Sequence, residues 1–286
     1  MKVEILNENL TKGIIFGIFL LKNALNMLTP VQGAAMAINP RNFDEIWERI
    51  AAGGDVNAKN TYGDRPLHMA LRDENFEAME TLLQHPNIDV NARNHLGWTP
   101  LHDAVEIENA DMVELLLELR DDNDNFTVDV NVRDHLGNTP LHWAVRKKNQ
   151  QLVRLLLRRP DINMNLKNYG GATPLHFVAR EGVGQIVREL FSIKDRNGNF
   201  MANANVRDRF NNTPLHSAAR MGNFEVVGEL LSLGPVVKVN ARNIYGNTAL
   251  HLAIENGYFE TAQLLLNGGA DQNALNASGH RPTYFD

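Results

Sequence analysis

One tetrapeptide recurs along this chain at a nearly fixed step, and such a step restricts the architecture before any single helix or strand is assigned. It reads Arg65-Pro66-Leu67-His68, Thr99-Pro100-Leu101-His102, Thr139-Pro140-Leu141-His142, Thr173-Pro174-Leu175-His176, Thr213-Pro214-Leu215-His216 and Thr248-Ala249-Leu250-His251. The steps between first residues are 34, 40, 34, 40 and 35. Other columns keep the same frame. Eight residues before each copy stands Asn57, Asn91, Asn131, Asn165, Asn205 or Asn240, and six before it Lys59, Arg93, Arg133, Lys167, Arg207 or Arg242. Two before it stands Gly63, Gly97, Gly137, Gly171, Asn211 or Gly246. Glycine enters the left-handed region freely and asparagine at modest cost, so this last column predicts a tight turn with positive φ.

Each tetrapeptide opens a short amphipathic helical pattern, followed by a turn and a second helix ending in a leucine block such as Leu115-Leu116-Leu117, Leu155-Leu156-Leu157 or Leu264-Leu265-Leu266. Proline suits the first helical turn, and the threonine before it is a natural N-cap. The unit is therefore hairpin, helix, helix. In these columns the chain resembles the ankyrin-repeat family, whose signature includes T-P-L-H-x-A and a period of about 33 residues. The resemblance covers residues 29–286 and implies an all-α fold, an ankyrin-repeat α-solenoid of units stacked side by side. It implies a mode of action, binding, without naming a partner.

The frame divides the chain into three parts. Residues 1–28 form a hydrophobic N-terminal helix, capping or signal-like; residues 29–272 form the solenoid; residues 273–286 form a truncated C-terminal repeat. Within the solenoid a divergent first repeat, 29–57, precedes six further repeats. Thr29-Pro30-Val31-Gln32 keeps its tetrapeptide frame, and Phe43 to Gly54 its second helix. A longer period is also visible. The step from Thr99 to Thr173 is 74, as is that from Thr139 to Thr213, and alternate units carry the extensions Asp121 to Phe126 and Asp195 to Phe200. A duplicated two-repeat block with a longer finger accounts for both.

Composition narrows the chemistry. The chain has no cysteine, which excludes disulfides, thiolate nucleophiles and thiolate zinc sites. With 28 basic and 34 acidic residues its net charge is -6, which argues against a nucleic-acid partner held by phosphate neutralisation. No P-loop or nucleophile elbow occurs, and Gly182-Val183-Gly184 lies in a helix-to-helix turn, so neither catalysis nor a cofactor is expected. The repeat histidines suggest imidazoles that bond backbone between stacked hairpins, not a metal array. The D-x-N-x-N spacing of Asp121-Asn123-Asn125 and Asp195-Asn197-Asn199 suggests polar turns, because a calcium loop would need glycine and glutamate where Phe126, Val132, Phe200 and Val206 stand. No metal is expected.

Proteins of this family bind with hairpin tips and the exposed face of the first helix. Carried over by frame, the candidate partner-binding residues are Tyr62, Leu96, Trp98, Leu136, Trp143, Tyr169, Phe177, Phe210 and Tyr245. The aromatics among them are surplus to a core built of Leu, Ala and Val, and they match the composition of binding hot spots. Leu136 and Phe177 have packing between repeats as the competing expectation. The basic column from Lys59 to Arg242 is expected to pair with nearby Asp or Asn groups in the hairpin, for instance Asp134 or Asp208. The unit at Thr99 is acidic through Asp103, Glu106, Glu108, Asp111, Glu114 and Glu118, and the next is basic through Arg146, Lys147, Lys148, Arg154, Arg158 and Arg159. Neighbouring repeats of opposite sign attract, and a bipolar groove also orients a partner.

Residues 13–28 carry a short apolar run interrupted by Lys22, Asn23 and Asn26, too short to span a membrane. A cap on the solenoid is favoured over a signal peptide, whose A-x-A site would be Ala35-Met36-Ala37. The reading is a non-enzymatic, monomeric, cytoplasmic scaffold that binds another protein through its concave groove. The alternatives are a bacterial effector translocated to act on host proteins, and an accessory or inhibitor subunit of an enzyme.

Overall fold

The computed structural model describes residues 47–48 and 50–283. The proposed cap or signal-like segment 1–28, most of the divergent first repeat and the last residues of the chain lie outside the described residues. Trp47, Glu48, Ile50 and Ala51 are helical, and Trp47 and Ile50 pack against the core.

Six helix pairs follow. The first helices are α1 (Pro66–Arg72), α3 (Pro100–Glu106), α5 (Pro140–Arg146), α7 (Pro174–Glu181), α9 (Pro214–Met221) and α11 (Ala249–Glu255). Their partners are α2 (Phe76–Leu83), α4 (Ala110–Leu117), α6 (Gln150–Leu157), α8 (Gly184–Ser192), α10 (Phe224–Ser232) and α12 (Phe259–Asn267). Each first helix packs on its own partner and on the first helix of the next unit, and the second helices from α4 onward do the same in a second layer. The fold is an all-α solenoid; the described residues hold no strand, only isolated bridge residues.

The recurring leucine explains why the layers stay together. Leu67, Leu101, Leu141, Leu175, Leu215 and Leu250 are all buried, and with Ala104, Val105, Leu116 and their equivalents they form one continuous core along the array. Burying each leucine contributes about 1.5–3 kcal/mol, and the contribution repeats with the unit. The turn column behaves as its chemistry requires: Gly63, Gly97, Gly137, Gly171 and Gly246 have φ between 73° and 80°, and Asn211 has φ 58°. At Gly137 the constraint is double, because a Cβ there would stand 2.6 Å from the backbone nitrogen of Tyr169 in the next hairpin.

The extensions form fingers. Arg120 and Phe126 make an antiparallel bridge, as do Lys194 and Phe200. Arg120 stacks on the Phe126 ring at 3.9 Å, and Arg159 from the next unit stacks on it at 3.8 Å.

Candidate functional site

Three sets of bonds join each hairpin to the next and so define the surface available for binding. The recurring asparagine is a clamp: Asn131 donates from its amide to the Asp161 carbonyl at 2.8 Å and accepts from the Asn163 N–H at 2.8 Å. Asn57, Asn91, Asn165, Asn205 and Asn240 do the same across their own junctions. At the tips the backbone is stitched directly, for instance from His135 N–H to the Leu96 carbonyl at 3.0 Å and from Tyr169 N–H to the Leu136 carbonyl at 3.1 Å.

The histidines supply the third bond. His142 Nδ1 accepts from the Thr139 backbone N–H at 3.1 Å, and Nε2 reaches the Ala172 carbonyl of the next hairpin at 3.1 Å. A backbone N–H can only donate, so Nδ1 carries no proton and Nε2 donates. Threonine is thus the N-cap, but its N–H and hydroxyl turn to the imidazole, which acts as the returning arm of a capping box. Burial of the ring lowers the pKa values of His68, His102, His142, His176 and His216 from 6.5 to about 4, against the bond to the neighbouring carbonyl, which favours the charged form.

Hairpin tips project outward because the residue after the basic column folds an Asx turn. Asp134 Oδ1 accepts from Leu136 N–H and Asn138 N–H at 2.8 Å each. Tyr62, Leu96, Leu136 and Tyr245 stand at the tips, about 60% exposed, and Phe210 joins them at 37%. Leu136 therefore does not pack between repeats. In the fourth hairpin Gly170 takes the tip position, so Tyr169 stands one residue earlier and is 72% exposed.

Trp98, Trp143 and Phe177 are half-buried beside them. The Trp98 and Trp143 rings meet edge to face with centroids 5.0 Å apart, and Trp98 also lies over His102. Trp143 Nε1 donates to Asp134 Oδ2 at 3.0 Å. Phe177 meets His142 edge-on at 5.2 Å. Trp143 and Phe177 both pack against the core, so they are not surplus to it: a first-helix side chain wide enough to cross from one repeat to the next inevitably touches both.

Of the two expectations about charge, the first needs correction and the second holds in part. The basic column does not pair with Asp134 or Asp208, although Arg207 does donate to the Asn211 carbonyl of its own hairpin at 3.1 Å. Arg93 donates to the Arg133 carbonyl at 2.7 Å, Arg133 to the Lys167 carbonyl at 3.1 Å and Arg207 to the Arg242 carbonyl at 2.7 Å, because the Asx turn already occupies those carboxylates. Attraction between the acidic and basic units is real at Lys147–Glu106 (2.7 Å) and Arg158–Glu114 (2.9 Å). Arg154 and Lys148, however, turn forward to Glu189 and Glu181.

Asp103, Asp64 and Arg72 form a cluster that no column announced. Arg72 on α1 bridges Asp64 at 2.6 Å and Asp103 on α3 at 2.9 Å. Burial pushes the Asp103 carboxyl up to about 7 despite the guanidinium, and its Oδ2 has no hydrogen-bond partner among the described residues. Its signal was an aspartate at the position where other units carry Met69, Trp143, Phe177, Ser217 or Leu252. The fingers hold a simpler motif: Asp121 Oδ1 accepts from the Asn123 and Asn125 N–H groups at 2.9 Å, closing the turn with the atoms a cation would need. Among the described residues no group of three or more His, Asp and Glu is placed to hold a metal, and no helix is long and apolar enough to cross a membrane.

A family model described as ankyrin repeats matches residues 33–127, 119–200 and 193–276. Among solved structures, the ankyrin repeat domain of Bcl-3, described as a unique member of the IkappaB protein family, is similar with a TM-score of 0.66 and 28% sequence identity. The similarity covers 77% of this chain and 92% of that one. No curated protein matches the chain.

Proposed function

The chain belongs to the ankyrin-repeat family, and on that premise we propose that it is a non-enzymatic scaffold binding another protein through its hairpin tips and the concave face of its first helices. The observation that carries this reading is the Trp98–Trp143 pair: two half-exposed indoles in edge contact at 5.0 Å, beside the exposed tips Leu96 and Leu136. Large aromatic side chains that lose little entropy on binding are the usual anchors of an interface. Tyr62, Tyr169, Phe177, Phe210 and Tyr245 extend the same surface to both sides. The active species is a monomer whose array offers one continuous face.

The test pairs stability with binding. Truncating an anchor costs about 2 kcal/mol of binding or more, roughly thirtyfold in affinity. Trp98→Ala should lower capture of the partner, identified by pull-down from native lysate, with little change in melting temperature. Trp143→Ala should lower both, because its ring also rests on the core. Unchanged affinity per folded molecule in both variants would remove the groove assignment. An effector acting on host proteins and an accessory or inhibitor subunit are narrower forms of the same reading; localisation of the chain separates the first and the identity of the captured protein the second.

A further inference from the structure

One position on the concave face carries charge in every unit. At the end of each first helix, seven residues after the tetrapeptide begins, stand Arg72, Glu106, Arg146, Arg180, Arg220 and Glu255. A cation there complements the helix dipole, yet Glu106 and Glu255 occupy the same position against it, so helix energetics alone does not choose the residue. Arg72 and Glu106 are already neutralised, by Asp64 and Asp103 and by Lys147. The basic residues flanking the middle of the array are neutralised too: Lys148 by Glu181, Arg154 by Glu189, Arg158 by Glu114, Arg159 by Asp161 and Arg188 by Glu229. Arg146, Arg180 and Arg220 have no such partner. All three are exposed, and among the described residues no carboxylate lies within ion-pair distance of them.

Two of them are also held in place. The Arg146 guanidinium lies 4.9 Å from the centre of the Trp143 ring and that of Arg180 lies 5.8 Å from Phe177. Stacking on an aromatic face fixes the plane of a guanidinium and leaves its N–H fork free for a carboxylate. Helices α5, α7 and α9 are consecutive neighbours, so the three cations succeed one another at about 8–10 Å, the spacing of packed helices. A polyproline II segment rises about 3.1 Å per residue with three residues per turn, which returns a side chain to the same face every ~9.3 Å.

We propose that Arg146, Arg180 and Arg220 form a docking track for an extended acidic segment of a partner protein, with a carboxylate at every third residue facing one arginine. The inference rests on the concave groove being the binding face and adds the chemistry of what enters it. Charge complementarity selects the occupant: three free cations on a chain of net charge -6, bounded at either end of the column by Glu106 and Glu255. Glu255, which has no cation within ion-pair distance among the described residues, repels an anionic segment that overruns the Arg220 end, and the Glu106–Lys147 pair offers no free cation at the other. Arg220 stands three residues after Ser217, without an aromatic shelf, and is the weakest of the three contacts.

The test uses the full chain and a labelled peptide of consecutive Glu-Pro-Ser triplets, read by fluorescence anisotropy. A peptide of the same composition with its glutamates contiguous is the control. The triplet peptide should bind more tightly than the control, and Arg146→Ala/Arg180→Ala/Arg220→Ala should weaken it by roughly tenfold while the melting curve stays that of the parent. Equal binding of the two peptides, or equal binding by the triple variant, overturns the track. Tighter binding of a DNA duplex or an anionic lipid vesicle, lost in the same variant, overturns the acidic-peptide assignment. Capture of the native partner separates the two readings: its loss in Trp98→Ala with retention in the triple variant leaves the groove in place and removes the track.

Discussion

The carboxyl of Asp103 shares one guanidinium with Asp64, and its second oxygen has no described partner, so the ionised form is poorly compensated for its burial. That is why its pKa rises from 3.8 to about 7. Between those values the folded chain holds a proton that the unfolded chain has released, so this group lowers stability as pH climbs from about 4 to about 7, by up to ~4 kcal/mol. Asp103→Asn keeps the shape and an oxygen for Arg72 without the charge. We expect the variant to match the parent near pH 4 and to exceed it in urea-unfolding free energy by a few kcal/mol above pH 7; a difference that does not change with pH would show that the charge is not the cost. The histidine and glycine columns were legible because every unit imposes the same local demand on them. Asp103 was not, because its environment is made by Arg72 of the preceding repeat, and nothing in the spacing of a sequence records which neighbour a carboxylate will face. The asparagine column was visible, but not its use as a two-bond clamp.

The units were legible as elements because proline, leucine and glycine punctuate them, and the helices begin at Pro66, Pro100, Pro140, Pro174 and Pro214 as N-capping chemistry requires. The link between the two helices of a unit was less legible, since the same left-handed position is filled in two ways. Gly182, Gly222 and Gly257 take it in the later units, whereas Glu74, Glu108 and Lys148 take it in the earlier ones with φ of 50° to 60°. A side chain in that region costs about 1–2 kcal/mol, partly offset in a comparison with glycine by the entropy glycine loses on folding. Glu74→Gly should therefore raise stability by about 0.5–1 kcal/mol, since its side chain gives up no more than a 3.5 Å contact from Asn109. Gly182→Ala should cost at least as much, because a Cβ would stand 2.8 Å from Asn223 Oδ1, whose amide bonds the Ala179 and Arg180 carbonyls. Equal thermal shifts of the same sign in both variants would contradict this account.

Across the whole molecule the repeat histidines lie at the junctions, and where burial lowers their pKa they couple stability to pH. Five of them have folded pKa values lowered from 6.5 to about 4. Above pH 6.5 both states are neutral there and the junction bonds are intact. As pH falls toward 4 the unfolded chain takes up protons that the folded chain refuses, so stability is lost across that window and no further below it. The drop from 6.5 to about 4 corresponds to roughly 3 kcal/mol per histidine, and five such groups together are comparable with the entire stability of an ordinary domain. Asp103 works in the opposite direction over an overlapping range, but one carboxyl at about 4 kcal/mol cannot offset five imidazoles. The array should therefore unfold between pH 6.5 and 4 in a steep transition, its unfolding free energy falling with a slope of up to five protons. Urea titrations followed by circular dichroism at stepped pH measure that slope. Replacing His142 and His176 by glutamine, which keeps a donor and an acceptor but takes up no proton here, should lower it by two. A free energy that stays level from pH 7 to about 5, or a slope that the two substitutions leave unchanged, would mean that the buried imidazoles do not govern acid unfolding.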